Sequence, residues 1–379
     1  MDVSSEIIHS LLPVFLTTTI GVSVAFVGLI DGIAESTASI VKIFSGYLSD
    51  RLRQRKLFIL LGYSLGAISK PFFPLASGVT LILGARFADR IGKGLRGAPR
   101  DALIADVTPV PIRGRAYGLR QSLDTTGAFL GPVLAIALMA LFAGDMRAVF
   151  WIAVVPASLA VLLIVVAVKD QTRSEGTNDM RPPIRLSDVA ELDRRFWTVV
   201  VIGVMFSLAR FSEAFLILKV HMEGLPVTLV PLVLVAMNIV YALGAYPAGH
   251  LSDLYNPGRL LLLGLGTLIA ADLSLAFSSS IAGSFIGIAL WGAHMALTQG
   301  LFAKLVAEHA PPRLRGSAFG VFNLFTGLAL LLASVIAGFI WDHVGSVATF
   351  LAGAGFAAAS GVLVLGWHRL LITDKSNGG

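Results

Sequence analysis

The acids and bases that could do chemistry in this 379-residue chain fall inside apolar runs. Asp31, Glu35 and Lys42 are spaced by four and seven residues, which puts them on one face of a helix. Arg86, Arg90 and Lys93 are spaced by four and three, with Asp89 close to that stripe. Arg120 and Asp124 share another helical face. Arg210 with Glu213, and His294 with Gln299, follow later; Glu6 and His9 stand near the start. Such groups can bind an anionic moiety or take and release a proton. They can equally pair with one another and fix helix packing. Covalent catalysis has no signature here: a Gly-x-Ser-x-Gly elbow, a His-Glu-x-x-His helix and a Walker phosphate loop are all missing. Gly92, Gly94 and Gly97 match Gly-x-Gly-x-x-Gly, but inside an apolar helical segment with no strand before it, so dinucleotide binding is set aside. The chain has no cysteine, hence no thiolate metal site or thiol nucleophile, and neither a cofactor nor a metal is expected.

The elements that must position these groups follow from composition. Hydrophobic residues make up 56% and charged residues 14%, with a mean hydropathy of +0.82. Soluble domains carry about 25% charged residues, so the expected class is an all-α membrane protein. The net charge of +6 and pI near 9.7 fit the Lys and Arg excess of cytoplasmic loops, and nucleic acid is not expected as a partner. A ruler of about 20 apolar residues gives twelve segments, near 3–20, 23–48, 57–76, 79–100, 116–142, 147–168, 196–220, 226–249, 259–277, 281–305, 317–341 and 346–370. The polar stretch 169–195 divides them six and six, so the expected domains are a bundle over 1–168, a cytoplasmic linker over 169–195 and a bundle over 196–379. Lys and Arg crowd the even-numbered connections, while the other side has Arg147 and little else; both termini are expected in the cytoplasm.

Depth gives the charges weight. Counting inward from about residue 79 at 1.5 Å per residue, Arg86 lies roughly 10 Å and Arg90 roughly 16 Å deep. A charge at mid-membrane costs about 2.5–3.5 kcal/mol, so it faces a cavity or a partner. Lys42, Arg96 and Arg100 are read as reaching the headgroups, and His294 as a satisfied interior histidine. The fourth segment, with Asp31, Glu35 and Asp124, is expected to form a buried charge network beside a central cavity.

The chain also repeats itself. Gly46-Tyr-Leu-Ser-Asp50 matches Gly249-His-Leu-Ser-Asp253, and Arg113-Gly114-Arg-Ala-Tyr-Gly matches Arg315-Gly316-Ser-Ala-Phe-Gly. Asp253 follows Asp50 by 203 residues and Arg315 follows Arg113 by 202. That offset spans six segments, an even number, so the two halves are a parallel repeat.

These motifs resemble the major facilitator superfamily. Gly46, Asp50 and Arg51 match the loop signature Gly-x-Leu-Ala-Asp-Arg-x-Gly-Arg-Arg/Lys, with Arg53 in place of its second glycine. Arg86-Phe-Ala-Asp89-Arg90-Ile-Gly92 resembles Arg-x-x-Gln-Gly-x-Gly of the fourth helix, and Gly127-Ala-Phe-Leu-Gly131-Pro132 resembles the Gly-x-x-x-Gly-Pro element of the family's exporters. The resemblance implies two six-helix bundles related by pseudo-two-fold symmetry, and a secondary transporter working by alternating access. It also implies a cytoplasmic gate: Asp50 against the segment start at Arg315-Gly316, and Asp253 against Arg113-Gly114. The first segment, with Glu6, is expected to begin part-way into the helix that relatives start earlier. The expectation is proton-coupled export of a small organic solute, anionic or zwitterionic in view of the cationic fourth segment. Import of a metabolite or metal chelate, lipid flipping and a non-transporting receptor stay open. The expected setting is the bacterial inner membrane, as a monomer, with a small-molecule substrate, protons and the lipid bilayer as partners.

Overall fold

In lipid every backbone N–H and C=O must be satisfied internally, so apolar runs of this length fold as helices. The computed structural model describes residues 1–52, 54–109, 112–168, 191–311 and 314–376. The first half runs α1 (Asp2–His9), α2 (Leu12–Val14), a π-helical turn (Phe15–Ile20), α3 (Val24–Leu52), α4 (Arg55–Ser69), α5 (Phe72–Leu75), α6 (Val79–Val107), α7 (Arg113–Leu141) and α8 (Met146–Ala167). The second runs α9 (Arg194–Ala209), α10 (Ala214–Met222), a 3₁₀ turn (Val227–Leu229), α11 (Leu232–Leu254), α12 (Pro257–Phe277), α13 (Ile281–His309), α14 (Arg315–His343) and α15 (Ser346–Ser376). Side-chain oxygens of Asp145, Asp193, Asn256 and Ser280 accept from the first free N–H groups of α8, α9, α12 and α13, as good N-caps do.

Among the described residues, 11 helical stretches are long and apolar enough to cross a membrane. The expected fourth segment is not one of them, because its charges lower its hydropathy. It is nonetheless a 29-residue helix, α6, about 43 Å long, against a hydrocarbon core of about 30 Å. The repeat reaches the helix boundaries. Helix α6 spans 79–107 and α13 spans 281–309; α7 starts at Arg113 and α14 at Arg315. Both ends of α6 and α13, and both Arg-Gly starts, therefore keep one offset.

Three expected continuous segments are interrupted. The first turns at Ser10 and Leu11, ahead of Pro13, and ends as a π-helix closed by Gly21 at φ +76°. Proline's missing N–H and the wider π-turn account for that change of path. The third stops at Ser69, before Pro71, and resumes as α5. The seventh breaks at Arg210–Ser212 with neither Gly nor Pro. There Ser212 replaces the helical bonds: its N–H donates to Ser334 Oγ at 3.2 Å, and its Oγ accepts from Ala214 N–H at 3.1 Å.

Contacts divide the chain into two compact units. One comprises residues 1–22, 33–183 and 227–232; the other comprises 23–32, 184–226 and 233–379. In the first unit α4 packs along α6 where Gly62 and Gly92 meet: a Cβ on Gly62 would stand 2.6 Å from the Gly92 carbonyl oxygen. Arg147 ties the α5 end to α8, donating to the carbonyls of Pro74 (2.6 Å) and Ala76 (2.8 Å) and stacking on Phe15. In the second unit the start of α3 packs on α14, where Asp342 accepts from the N–H groups of Val24 and Ala25 at 3.0 and 2.9 Å. A carboxylate at a helix N-terminus is also favoured by the helix dipole.

Candidate functional site

Helices α1, α3, α6 and α7 of the first unit enclose a cavity of about 340 Å³. Small residues let them close on it. Helix α3 lies against α6 at Gly94, where a Cβ would meet the Val41 side chain at 2.6 Å. Helix α7 lies against α1 at Gly127, facing Asp2, and at Gly131, facing Glu6. Pro132 is buried in the same helix. The glycine–proline element singled out in the sequence is thus the seat of α1.

The cavity wall is charged. Carboxylates and cations are equal in number among its described lining residues, which include Glu6 of α1, Glu35 and Lys42 of α3, and Lys93 of α6. Most cations are spoken for. Arg90 Nη1 lies 2.9 Å from Glu35 Oε1. Arg96 Nη2 lies 3.6 Å from Asp2 Oδ1, with its guanidinium 4.8 Å from the Tyr63 ring centre. Arg100 and Arg120 grip Asp124 from two helices at 3.2 and 2.7 Å, with Asp101 beside both. Two ammonium groups differ. Among the described residues, Lys42 and Lys93 line the cavity with no carboxylate within 4.0 Å. The Lys42 stem lies along Gly97, where a Cβ would meet its Cε at 3.5 Å.

Of the charges expected in that network, Glu35, Arg90 and Asp124 form pairs around α6. Arg96 is buried, and Arg96 and Arg100 both turn toward carboxylates of other helices. Asp89 turns away from the cavity to Lys70, whose Nζ is 2.8 Å from Asp89 Oδ1 and 2.9 Å from Ser5 Oγ. Lys70 was not anticipated, although a lysine beside Pro71 in an apolar run is a legible signal. Arg86 is buried deep in α6. Asp31 belongs to the second unit, where the Ser212 hydroxyl donates to its Oδ2 at 2.8 Å. Arg210 and Glu213 flank the same break between α9 and α10. Glu6 is held by His9 at 3.4 Å.

In the second unit His294 is fully buried, its Nδ1 2.8 Å from the Gly264 carbonyl and its ring stacked on Phe206. A carbonyl only accepts, so Nδ1 carries the proton. Lys219 and Glu223 form a second unanticipated pair at 3.0 Å, reinforced by Ser284; their four-residue spacing was available to find them.

Of the expected gate, Gly46 lies against Ala98 of α6, Arg51 is exposed, and Gly249 has no neighbour within 4 Å of a built Cβ. The side chains of Asp50, Asp253, Arg113, Arg315 and the motif positions Gly114 and Gly316 lie outside the described residues. The signature loop supplies one pair, Arg55 with Asp106 at 2.9 Å.

Comparison with known proteins agrees with this architecture. The family model described as Major Facilitator Superfamily matches residues 1–329 and 204–377. An uncharacterized MFS-type transporter of Methanocaldococcus jannaschii is 30% identical over 372 residues, covering 96% of this chain and 91% of the relative. The multidrug resistance protein MdtL of Escherichia coli is 26% identical, covering 80% of this chain and 75% of its own. A crystal structure of the nucleoside transporter NupG superposes with a TM-score of 0.78 at 13% identity, over 98% of this chain and 96% of that one. The chain belongs to the major facilitator superfamily of membrane transporters.

Proposed function

We propose that this transporter exports a small organic solute bearing an anionic group, as an anion or a zwitterion, in exchange for protons across the cytoplasmic membrane. The observation that carries the reading is the pair Lys42 and Lys93. Among the described residues, the other cations lining the cavity already have carboxylate partners, whereas these two ammonium groups line it without one. A charge-assisted hydrogen bond contributes about 1.5–3 kcal/mol, and an arriving carboxylate or phosphate is what such ammonium groups lack. Glu6 and Glu35 on the same wall suit a cationic group on the same solute. Export is supported by the Gly127–Gly131–Pro132 element and by the likeness to a multidrug resistance protein.

The rest of the reading is a monomer with bundles over 1–168 and 196–379, a cytoplasmic linker over 169–195, both termini in the cytoplasm, and a gate at the loop motifs around Asp50 and Asp253. The test starts with the purified protein and a thermal-shift panel of small carboxylates, phosphate monoesters and amino acids. The best stabiliser is then followed in inverted vesicles with and without a proton gradient. Anionic members should stabilise wild type, and Lys42→Gln or Lys93→Gln should weaken that response roughly tenfold to a hundredfold while leaving folded levels intact, as one charge-assisted contact predicts. Stabilisation by neutral or purely cationic compounds alone would refute the anion-binding assignment.

A further inference from the structure

Outside the cavity, one ionisable group stands apart from every other in the described membrane helices. Asp272 lies in α12, is fully buried, and neither carboxylate oxygen has a protein hydrogen-bond partner. The other buried acids among the described residues are matched: Asp89 with Lys70 and Asp31 with Ser212. Buried polar groups without partners are rare enough that each calls for a physical explanation.

The surroundings of Asp272 are built rather than accidental. Oδ2 sits beside Gly353 of α15, where a Cβ would stand 2.8 Å from that oxygen and 2.9 Å from the Phe211 ring. Glycine at 353 is thus the condition for the carboxyl to occupy this position. Phe211 in turn packs, with its ring tilted, against Trp291 of α13 at 5.4 Å and Phe350 of α15 at 5.5 Å. Helices α13 and α15 are the elements packed along α12. Among described side chains, α15 brings no titratable group, and α13 brings His294 at this level of the bundle. Among the described residues no Lys, Arg or His nitrogen lies within 4.0 Å of either Asp272 oxygen. No cation therefore neutralises Asp272 in place.

An ionised carboxylate in such a site is strongly disfavoured, whereas the neutral acid is accepted by an aromatic wall. We infer that Asp272 is the proton-binding group of this transporter, holding a proton as –COOH when sealed between α12 and α15 and releasing it as –COO⁻ when water reaches it. The step is simple proton binding, –COO⁻ + H⁺ giving –COOH, and needs no further reactant. It rests on the proton coupling proposed above, but the residue and its unit are distinct from the solute cavity. Binding of solute and binding of proton are then assigned to different halves of the chain.

Infrared spectroscopy of full-length protein with ¹³C-labelled aspartate in lipid reads the site directly, because only a protonated aspartic acid gives the isotope-shifted carboxylic C=O band. At neutral pH wild type should show this band and the isosteric Asp272→Asn should lose it. In proteoliposomes, with the strongest stabiliser from the panel as probe, Asp272→Asn should keep gradient-free exchange and lose at least about tenfold of pH-driven accumulation; Asp272→Glu should restore part of it. A band that is missing in wild type, or unchanged in Asp272→Asn, overturns the assignment, as does full pH-driven accumulation by Asp272→Asn. If Asp272→Asn does not fold, the wild-type band alone decides, since Asp31, Asp89 and Asp124 all accept from donors. If wild type ignores the gradient, proton coupling falls, and the band still reports whether Asp272 holds a proton.

Discussion

Lys70 and Asp89 provide the sharpest perturbation of the charged core. Their side chains are 1% and 3% exposed and meet at 2.8 Å. Changing Lys70 to Met keeps most of the apolar stem and removes the ammonium. Asp89 would keep Arg90 Nε, at 4.0 Å, as an ion-pair neighbour, and Ser5 Oγ would lose its donor. Breaking a buried pair by removing one partner costs about 3–5 kcal/mol, mostly because the other charge stays desolvated. At 1.4 kcal/mol per decade this is roughly two to three and a half powers of ten in the folding equilibrium. Adding Asp89→Asn to Lys70→Met removes the stranded charge, so the double variant should recover most of the loss, with a coupling of at least about 2 kcal/mol. Reversible unfolding in mixed micelles, run as a four-member cycle, measures it. A Lys70→Met cost below about 1 kcal/mol, or strict additivity of the two changes, would refute the claim that this pair is a structural anchor behind the cavity.

Other expectations follow from the same geometry. Gly62→Val presses a branched side chain into the Gly92 backbone across the α4–α6 crossing; overpacking of this kind costs about 1–3 kcal/mol and should appear as a lower Tm and reduced folded yield. Gly131→Ala puts a methyl against Glu6 of α1, so solute binding should weaken by more than stability falls, read by ligand-induced thermal shift against baseline Tm. Arg147→Ala removes two donors from the Pro74 and Ala76 carbonyls and should cost about 1–3 kcal/mol, with faster amide exchange confined to the 74–78 connection. Gly353→Ala, which crowds Asp272 without altering any charge, should mimic the coupling defect of Asp272→Asn; normal pH-driven accumulation in that variant would count against a built proton site.

The sequence carried the helices well and their partners poorly. Hydropathy located the segments because lipid leaves a long apolar run no other backbone solution, and the repeated Asp and Arg-Gly motifs fixed their registration. Helix α6 was found by the same ruler, near 79–100, although its charges keep it below the hydropathy of the other spans. The break at Arg210–Ser212 was invisible: it depends on Ser334 and Asp31 side chains supplied from elsewhere, not on Gly or Pro. Arg96 and Arg100 illustrate the same limit. Their own helix offers a route to the headgroups, and only the folded chain brings Asp2 and Asp124 within reach. Asp272 drew no notice because a lone acid with no partner three or four residues away forms no pattern.

The distribution of unpaired charge, rather than of charge, is what separates anchor from site. Helix α6 looks like the functional element when its cations are counted. Arg90, Arg96 and Arg100 nevertheless each hold a carboxylate brought by another residue, and Lys70 does the same for Asp89. Such pairs repay their desolvation only as pairs, so they fix the cavity wall and resist rearrangement. Among the described residues, Lys42 and Lys93 line the cavity of the first unit without a carboxylate, and Asp272 is buried in the second without a donor. An ammonium without a carboxylate invites an anion from outside, whereas a carboxyl without a donor invites a proton. On the function proposed above, those are the two cargoes, solute anion and proton, that the transporter would exchange.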